Sequence, residues 1–233
     1  MSDRKPTFFT SDWHIGHANS LVFDSRPFKN LDEMHSSLIR IYNSTVPTNG
    51  ICYFLGDIGL TSNDLVRSII EQLQGTKVLV LGNHDKGSNS MYKVGFDVVL
   101  NGAILYIAKE KVTLTHCPLL GVYREDTSEM KNSNLNENWH GETRHSQYSV
   151  KDEGQFHLHG HIHSGPANTK PHTQNRQFDV GLPANSYRPV SISTIESWIS
   201  LEVQKSNRLI FNNEDMKHVE VIINSPTTHK FLK

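Results

Sequence analysis

Residues 77–85 read KVLVLGNHD, an apolar run that ends in glycine, asparagine, histidine and aspartate. Continuous aliphatic runs of this kind are typical of strands that are buried on both faces of a largely parallel sheet. Residues 51–57 (ICYFLGD) and 7–14 (TFFTSDWH) repeat the same plan earlier in the chain. The sequence therefore predicts strands at 7–10, 51–55 and 77–81, each followed directly by residues that can carry chemistry.

Helical patterns separate these strands. Residues 31–42 carry apolar side chains along one helical face, and Asn30 with Glu33 forms a capping-box signature at the start. Residues 65–73 have the same spacing and stop near Gly75. The alternation of strand and helix predicts an α/β domain with a largely parallel sheet.

The second half of the chain has strand-like runs but few helical ones. This pattern predicts a second sheet of mixed or antiparallel strands, packed face to face against the first with helices outside. A helix is expected at 191–199, and a C-terminal hairpin-like pair at 208–211 and 218–223. The predicted strands of this half are residues 97–100, 104–108, 111–115, 155–158 and 177–180.

Residues 121–154 are polar and nearly free of aliphatic side chains. A loop of this length inside a compact domain is usually functional or disordered. With 233 residues the chain is long enough for one sizeable core. We therefore expect a single domain over residues 1–233, with a polar insertion at about 121–154 and a C-terminal extension at about 203–233.

The composition limits which binding partners and which cellular compartment are expected. A net charge of −1 provides no basic surplus, which disfavours long duplex nucleic acid and anionic membranes as partners. No stretch of about 18 apolar residues is present to span a membrane. The two cysteines, Cys52 and Cys117, lie beside apolar runs and fit reduced, packed thiols. Together with an N-terminus that lacks a signal-peptide core, these features predict a cytoplasmic protein.

Asp, Asn and His side chains follow five predicted strands, and the carboxyl ends of strands in open α/β sheets are where ligands bind. Imidazole nitrogens and carboxylate oxygens suit Mn, Fe, Zn, Ni or Co. Each motif alone is weak, because Asp-x-His pairs and Gly-Asp turns occur in ordinary loops. Their joint occurrence predicts a metal site among Asp12, His14, Asp57, Asn83, His84, Asp85, His116, His161 and His163.

Spacing suggests how the paired residues act. Asp12 and His14 are two residues apart, so in extended backbone both side chains would point the same way and grip one ion. His161 and His163 repeat this spacing, after a Gly160 that would permit a tight turn.

Four single residues have separate predictions. Asp57 is the candidate to bridge two ions with its two oxygens. His17 and Arg26 are candidates for substrate-phosphate contact, since a guanidinium offers a bidentate fork to phosphate oxygens. The alternative for Arg26 is that it caps the loop before Pro27. Trp13, between two candidate ligands, is expected to pack beneath the site.

In order and type, the motifs resemble those of the calcineurin-like metallophosphoesterase superfamily: D-x-H, GD, GNH[DE], a lone H and GH-x-H. The stretch SDWHIGH at 11–17, followed by RPF at 26–28, is similar to the small bacterial and phage branch. The resemblance covers roughly residues 7–200. It implies a four-layer α/β/β/α sandwich of two mixed sheets, of the metallo-dependent phosphatase type. It also implies two divalent metal ions, of which Mn is favoured.

The resemblance further implies a role for each matched residue. Asp57 would bridge the two ions, and a hydroxide held between them would attack phosphorus in line. His84 would protonate the leaving oxygen as a general acid, with Asp85 behind it holding the motif in place. One ion would take Asp12, His14 and His163, and the other would take Asn83, His116 and His161.

The resulting hypothesis is a dinuclear-metal phosphoesterase whose substrate is a small phosphodiester or phosphomonoester, such as a nucleotide or cyclic nucleotide. A DNA or RNA nuclease of the same superfamily is one alternative, although the recombination nucleases that resemble this chain in the motifs are longer and carry capping domains. A protein Ser/Thr phosphatase is disfavoured, because residues 56–60 read GDIGL where that branch resembles GDxxDRG. A metal-free, non-catalytic scaffold is the third alternative. Separately, the C-terminal extension could pair between chains and form an oligomer.

Overall fold

The computed structural model describes residues 4–119, 150–166 and 172–211, and these ranges contain two five-stranded sheets. The first sheet consists of β1 (Thr7–Thr10), β2 (Ile51–Phe54), β3 (Thr76–Val80), β4 (Val98–Leu100) and β10 (Val190–Ser191). Its order is β10-β1-β2-β3-β4. Strands β1 to β4 run parallel, and β10 pairs with β1 in antiparallel orientation.

The second sheet contains β5 (Ala103–Ile107), β6 (Glu110–Leu114), β7 (Phe156–His159), β8 (Thr173–Gln174) and β9 (Gln177–Asp179). Its order is β5-β6-β7-β9-β8, with β6, β7 and β9 parallel and the two outer strands antiparallel to their neighbours. The prediction of an α/β fold with two mixed sheets is confirmed. In each sheet the central strands are parallel, so their carboxyl ends lie at one edge.

Five helices accompany the sheets in the described residues: α1 (Asn19–Phe23), α2 (Leu31–Thr45), α3 (Asn63–Ile70), α4 (Ser88–Lys93) and α5 (Ile192–Phe211). Helix α2 begins where the capping signature placed it, because Asn30 Oδ1 accepts from the N–H of Glu33 at 2.9 Å. Ser62 caps α3 in the same way through the N–H of Leu65. Both helices therefore begin at a residue whose side chain caps the first turn.

Two apolar cores hold the layers together. In the first, α2, α3 and α4 pack on the first sheet through side chains such as Leu38, Ile69 and Met91. The second lies between the sheets and includes Phe9, Leu55, Val80, Leu114, Leu158 and Phe178. Trp198 of α5 joins this core, with its ring 5.3 Å from those of Phe156 and Phe178. Full burial of one such side chain contributes about 1.5–3 kcal/mol.

The C-terminal prediction needs a correction. Residues 208–211, expected as a strand, form the last turn of α5, which continues well beyond the predicted end at 199. Residues 200–211 contain neither glycine nor proline, so no residue in that stretch stops the helix. Residues 218–223 and most of the 121–154 insertion lie outside the described residues.

Cys52 and Cys117 are both buried, and no disulfide joins them. Among the described residues, no helix has the length and apolarity needed to cross a bilayer.

Candidate metal centre

The predicted ligands meet where the carboxyl edges of the two sheets come together. The loop after β1 runs alongside the loop after β2, since the N–H of Asp12 donates to Gly56 O at 3.1 Å and that of His14 to Asp57 O at 3.0 Å. From the second sheet, the N–H of His161 donates to the Asp12 carboxylate at 3.1 Å. Backbone hydrogen bonds thus bring residues from both sheets to one place.

Asp12, His14 and His163 form the first group that could hold an ion, with their ligand atoms all within 4.8 Å of one another. The Nε2 atoms of His14 and His163 face each other at 3.0 Å. Nε2 of His163 also lies 3.4 Å from Asp12 Oδ1. These three residues are the set that the resemblance assigned to one ion.

Asp57 connects this group to a second one. Its Oδ2 lies 3.9 Å from His14 Nε2, and its Oδ1 lies 3.3 Å from His116 Nε2. The ring of His161 is 5.1 Å from that of His116, and its Nδ1 lies 3.1 Å from Asn83 Oδ1. All seven predicted ligands therefore belong to one continuous cluster, with one oxygen of Asp57 towards each half.

The backbone differs from the one expected for the paired ligands. Asp12, His14, His161 and His163 do not lie in extended backbone, because their φ angles are 60°, 49°, 69° and 50°. Asp57, at 55°, shares this left-handed conformation. Each such residue carries a cost of order 1–3 kcal/mol, which the surrounding structure must offset. Side chains two residues apart converge here through turns and not through strand alternation.

Gly160 is required for a reason other than the one predicted. Its φ is not in the left-handed region, so it does not supply a special turn. A Cβ at Gly160 would instead collide with the Ser11 side chain and with the Asp12 carboxylate. The missing side chain allows the loop after β7 to approach the loop after β1, which brings His161 to Asp12.

His116 provides the clearest test of whether a cation fits the cluster. Its Nδ1–H donates to Leu55 O at 2.7 Å, which directs Nε2 towards Asp57. This Nε2 is buried and makes no hydrogen bond among the described residues. A nitrogen lone pair and a carboxylate oxygen face each other, and both are acceptors unless a cation or a proton lies between them. The residues present therefore fit a divalent ion.

The pKa values of the clustered residues also indicate a site that favours cations. Burial alone would lower the pKa of His116, but the carboxylates of Asp57 and Asp12 raise it to about 9. Burial likewise opposes protonation of His163, yet Asp12 and Asp24 raise its pKa to about 10. Burial and the neighbouring Asp12 would raise the pKa of Asp57, but His116 and His14 together lower it to about 2. The carboxylates thus create a field that holds cations in this cluster.

Asp24 contacts the candidate centre, although no motif included it. Its Oδ1 accepts from Nδ1–H of His163 at 2.7 Å, so Nε2 of that ring is left to face Asp12. Metal-binding histidines commonly have their second nitrogen held by a carboxylate in this way. Because Asp24 belongs to no strand end, only its place two residues before Arg26 could have drawn attention to it.

Arg26 does not reach the substrate side of the centre, which corrects the prediction of a phosphate contact. Its guanidinium is fully buried and donates to Asp24 Oδ2 at 2.8 Å. It also donates to the backbone carbonyls of Asp12 and Trp13, at 2.9 and 3.1 Å. Arg26 therefore holds the loop after β1, which carries Asp12 and His14, in place.

Trp13 lies beneath the site, as predicted, against Tyr42 and Phe54.

We expect Asp24→Asn to weaken the binding of one Mn²⁺ ion by about 10- to 100-fold, because the His163 ring loses its charged partner. Titration calorimetry would measure the affinity, and the melting temperature would report the effect on the fold. Asp152→Asn is a matched control, since Asp152 also pairs with an arginine, Arg176 at 3.2 Å, outside the centre. Equal Mn²⁺ affinity in Asp24→Asn and the control would contradict a role for Asp24 in the centre.

Asp85 supports the centre from behind. Its carboxylate accepts from the N–H groups of Asp57 (3.0 Å), Ile58 (2.8 Å) and Gly82 (2.8 Å). Burial and the neighbouring Asp57 raise its pKa to about 6.

Asp179, which no motif included, accepts from Ser164 and Gly181 in a similar manner. It ends strand β9, so the strand-end reasoning applied to the other motifs could have found it.

His84 and His17 lie beside the centre and are partly exposed to solvent. The His84 side chain is 47% exposed, and its Nε2 lies 3.9 Å from Asp57 Oδ2. Its backbone N–H donates to the other oxygen of Asp57 at 3.0 Å. The half-buried His17 places its ring 5.5 Å from that of His14. Both imidazoles are therefore positioned to meet a ligand that enters the centre.

Comparison with known proteins gives relatives over most of the chain. The Gene 66 protein of Mycobacterium phage L5 is 31% identical over 198 residues, which cover 76% of this chain and 86% of that protein. An uncharacterized protein of Methanocaldococcus jannaschii is 29% identical over 199 residues, covering 84% of this chain and 91% of its own length. A protein of unknown function from Aquifex aeolicus has a similar fold, with a TM-score of 0.60 and 21% identity over 84% of this chain and all of that one. No family model matches the chain.

Proposed function

We propose that this chain, which belongs to the same family as the Gene 66 protein of Mycobacterium phage L5, is a metallophosphoesterase of the calcineurin-like superfamily that hydrolyses small phosphate esters with two divalent metal ions. The favoured substrates are phosphodiesters or phosphomonoesters such as nucleotides. The proposal depends chiefly on Asp57, whose two oxygens face His14 on one side and His116 on the other. One carboxylate directed at two imidazole groups is the arrangement that a pair of ions would use.

The residues that would hold the ions are Asp12, His14 and His163 on one side, Asn83, His116 and His161 on the other, and Asp57 between them. When bound, Mn²⁺ or a similar ion would lower the pKa of water and offset the negative charge of the phosphate. Other residues of the protein would position these ligands. Asp24 orients His163, and Asp85 holds the Asp57 loop by accepting from the N–H groups of Asp57 and Ile58.

The position of His84 supports a role as general acid. Its ring is half exposed beside the centre, close to Asp57, where the leaving oxygen of a bound ester would emerge. An imidazole there can donate a proton to that oxygen as the ester bond breaks. His17, also beside the centre, is proposed to contact substrate.

The direct test is a hydrolysis screen on Mn²⁺-loaded and chelator-treated protein, with bis(4-nitrophenyl) phosphate, 4-nitrophenyl phosphate and then a nucleotide panel. We expect stoichiometric metal and metal-dependent release of nitrophenolate. A metal-free scaffold would show neither metal nor hydrolysis. Activity on monoesters with none on any diester would remove the phosphodiesterase preference, and cleavage of nucleic acid alone would favour the nuclease alternative.

Metal binding is expected to strengthen as pH rises. In the metal-free protein the pKa values of His116 and His163 are about 9 and about 10, so both imidazoles carry a proton at pH 7. An incoming ion must displace these protons, and each one displaced makes the affinity rise by up to about tenfold per pH unit below those pKa values. Calorimetry at pH 7 in two buffers of different ionisation enthalpy should detect release of about two protons. Mn²⁺ affinity that is constant from pH 6 to 8 would contradict this assignment.

A further inference from the structure

Helix α1 leaves two large apolar side chains in solvent beside the metal centre. Val22 is 75% exposed and Phe23 is 71% exposed, whereas most large apolar side chains of the described residues are buried in the two cores. Isolated exposed apolar residues are common, so exposure alone identifies no site. What distinguishes Phe23 from Val22 is its contact with His17, which lies beside the ligand His14.

Phe23 ends a series of ring contacts that begins inside the metal centre. The ring of His14 lies 5.5 Å from that of His17, and the ring of His17 lies 6.5 Å from that of Phe23, at an angle of 69°. The ester phosphate would bind at the level of His14. An exposed aromatic ring two contacts further out is therefore placed to meet the organic part of the substrate.

The attachment of α1 keeps Phe23 in a fixed position. The next residue, Asp24, bonds to His163 at 2.7 Å and to Arg26, which in turn donates to Asp12 O and Trp13 O. The backbone that carries the aromatic ring is thus tied to the same residues that form the centre. A preorganised surface of this kind lowers the entropy lost when a ligand stacks on it.

We propose that Phe23, flanked by His17, is a stacking wall for a planar aromatic group, so that the substrates are phosphate esters that carry a nucleobase. This inference rests on the phosphoesterase function proposed above. Every nucleobase has a π face that stacks on aromatic side chains, and alanine substitution of such a residue typically weakens binding by roughly 5- to 150-fold. The net charge of −1 fits a mononucleotide better than a polymer.

Two ligands that differ only in the base test this wall: adenosine 5′-monophosphate and ribose 5-phosphate. As competitors of bis(4-nitrophenyl) phosphate hydrolysis by the Mn²⁺-loaded full chain, the nucleotide should bind at least about tenfold more tightly than the sugar phosphate. Phe23→Ala and Phe23→Leu should abolish most of this advantage, whereas Phe23→Trp should keep it. Val22→Ala removes an equally exposed apolar side chain from the same helix and should leave the advantage unchanged.

Two results would overturn the stacking wall while leaving the phosphoesterase proposal intact. One is equal affinity of the wild-type protein for the two ligands, and the other is an adenine advantage that survives Phe23→Ala. If the wild-type protein binds neither ligand and hydrolyses no ester, both proposals fail. Because Phe23 is mostly exposed, its variants should fold, and circular dichroism with a melting curve would verify this.

Discussion

Asp57→Asn is expected to remove bound Mn²⁺ and phosphate-ester hydrolysis together. The carboxylate lies between the two halves of the cluster, 3.9 Å from His14 Nε2 and 3.3 Å from His116 Nε2. Asparagine keeps the shape but loses the negative charge and replaces one carboxylate oxygen by an NH₂ group, whose nitrogen has no lone pair to offer a cation, so only one of the two halves would still face a ligand oxygen. Since loss of a residue that only supports a ligand costs 10- to 100-fold in metal affinity, loss of the central ligand should cost at least about 100-fold.

Three measurements on Asp57→Asn separate a missing ligand from a damaged fold. Metal content should fall in purified protein, hydrolysis should fall with it, and the rise in melting temperature on addition of Mn²⁺ should disappear. Asp64→Asn removes a carboxylate that is almost fully exposed and pairs only loosely with Arg67, so it should retain all three properties. If Asp57→Asn kept stoichiometric metal and wild-type rates, a bridging role for Asp57 would be excluded.

The sequence could predict the meeting of the ligands because each of them follows a strand. Parallel strands deliver their carboxyl ends to one edge, and the order of β1, β2 and β3 in the first sheet places Asp12, Asp57 and Asn83 side by side. The strand bounds themselves moved by only about one residue, as with 77–81, which became Thr76–Val80. The spacing of apolar residues that distinguishes a strand from a helix is a local property of the chain. The residue pattern alone is therefore sufficient to predict where these elements lie.

The backbone at the ligands could not be predicted in this way. The left-handed φ angles of Asp12 and His161 depend on hydrogen bonds between residues 149 positions apart. The sequence marks Gly160 as a turn residue, but its constraint is that the Ser11 side chain and the Asp12 carboxylate leave no room for a Cβ, which is a contact between the two sheets. These features arise only when the tertiary structure is complete, and they concentrate at the site because strain is tolerated where many contacts hold the chain.

The contacts of the Arg26 side chain likewise could not be predicted from the sequence. An arginine near a phosphate site is reasonably expected to bind phosphate, since its fork suits that anion. Its burial and its bonds to Asp24 and to two carbonyls of the loop after β1 are set by the fold around it. A buried arginine needs a charged partner, so Asp24 and Arg26 are best understood as one unit.

His84→Ala is expected to keep both metals and to lose rate by about 10²- to 10⁴-fold on esters with alkyl leaving groups. His84 is not among the seven predicted ligands, and its half-exposed ring lies beside the cluster. Poor leaving groups need a proton as the bond breaks, whereas 4-nitrophenolate departs readily without one. The loss should therefore be much smaller on a 4-nitrophenyl ester than on an alkyl ester of the same phosphate.

His84→Gln is the matched variant for this test, because glutamine can donate a hydrogen bond but cannot transfer a proton in the same way. We expect it to resemble His84→Ala in rate and the wild type in Mn²⁺ affinity and melting temperature. A uniform loss across leaving groups would instead assign His84 to substrate binding or to the ligand loop, where its N–H donates to Asp57. An unchanged rate on the alkyl ester would exclude His84 as the acid, and His17, whose ring also lies beside that of His14, would become the next candidate for the proton donor.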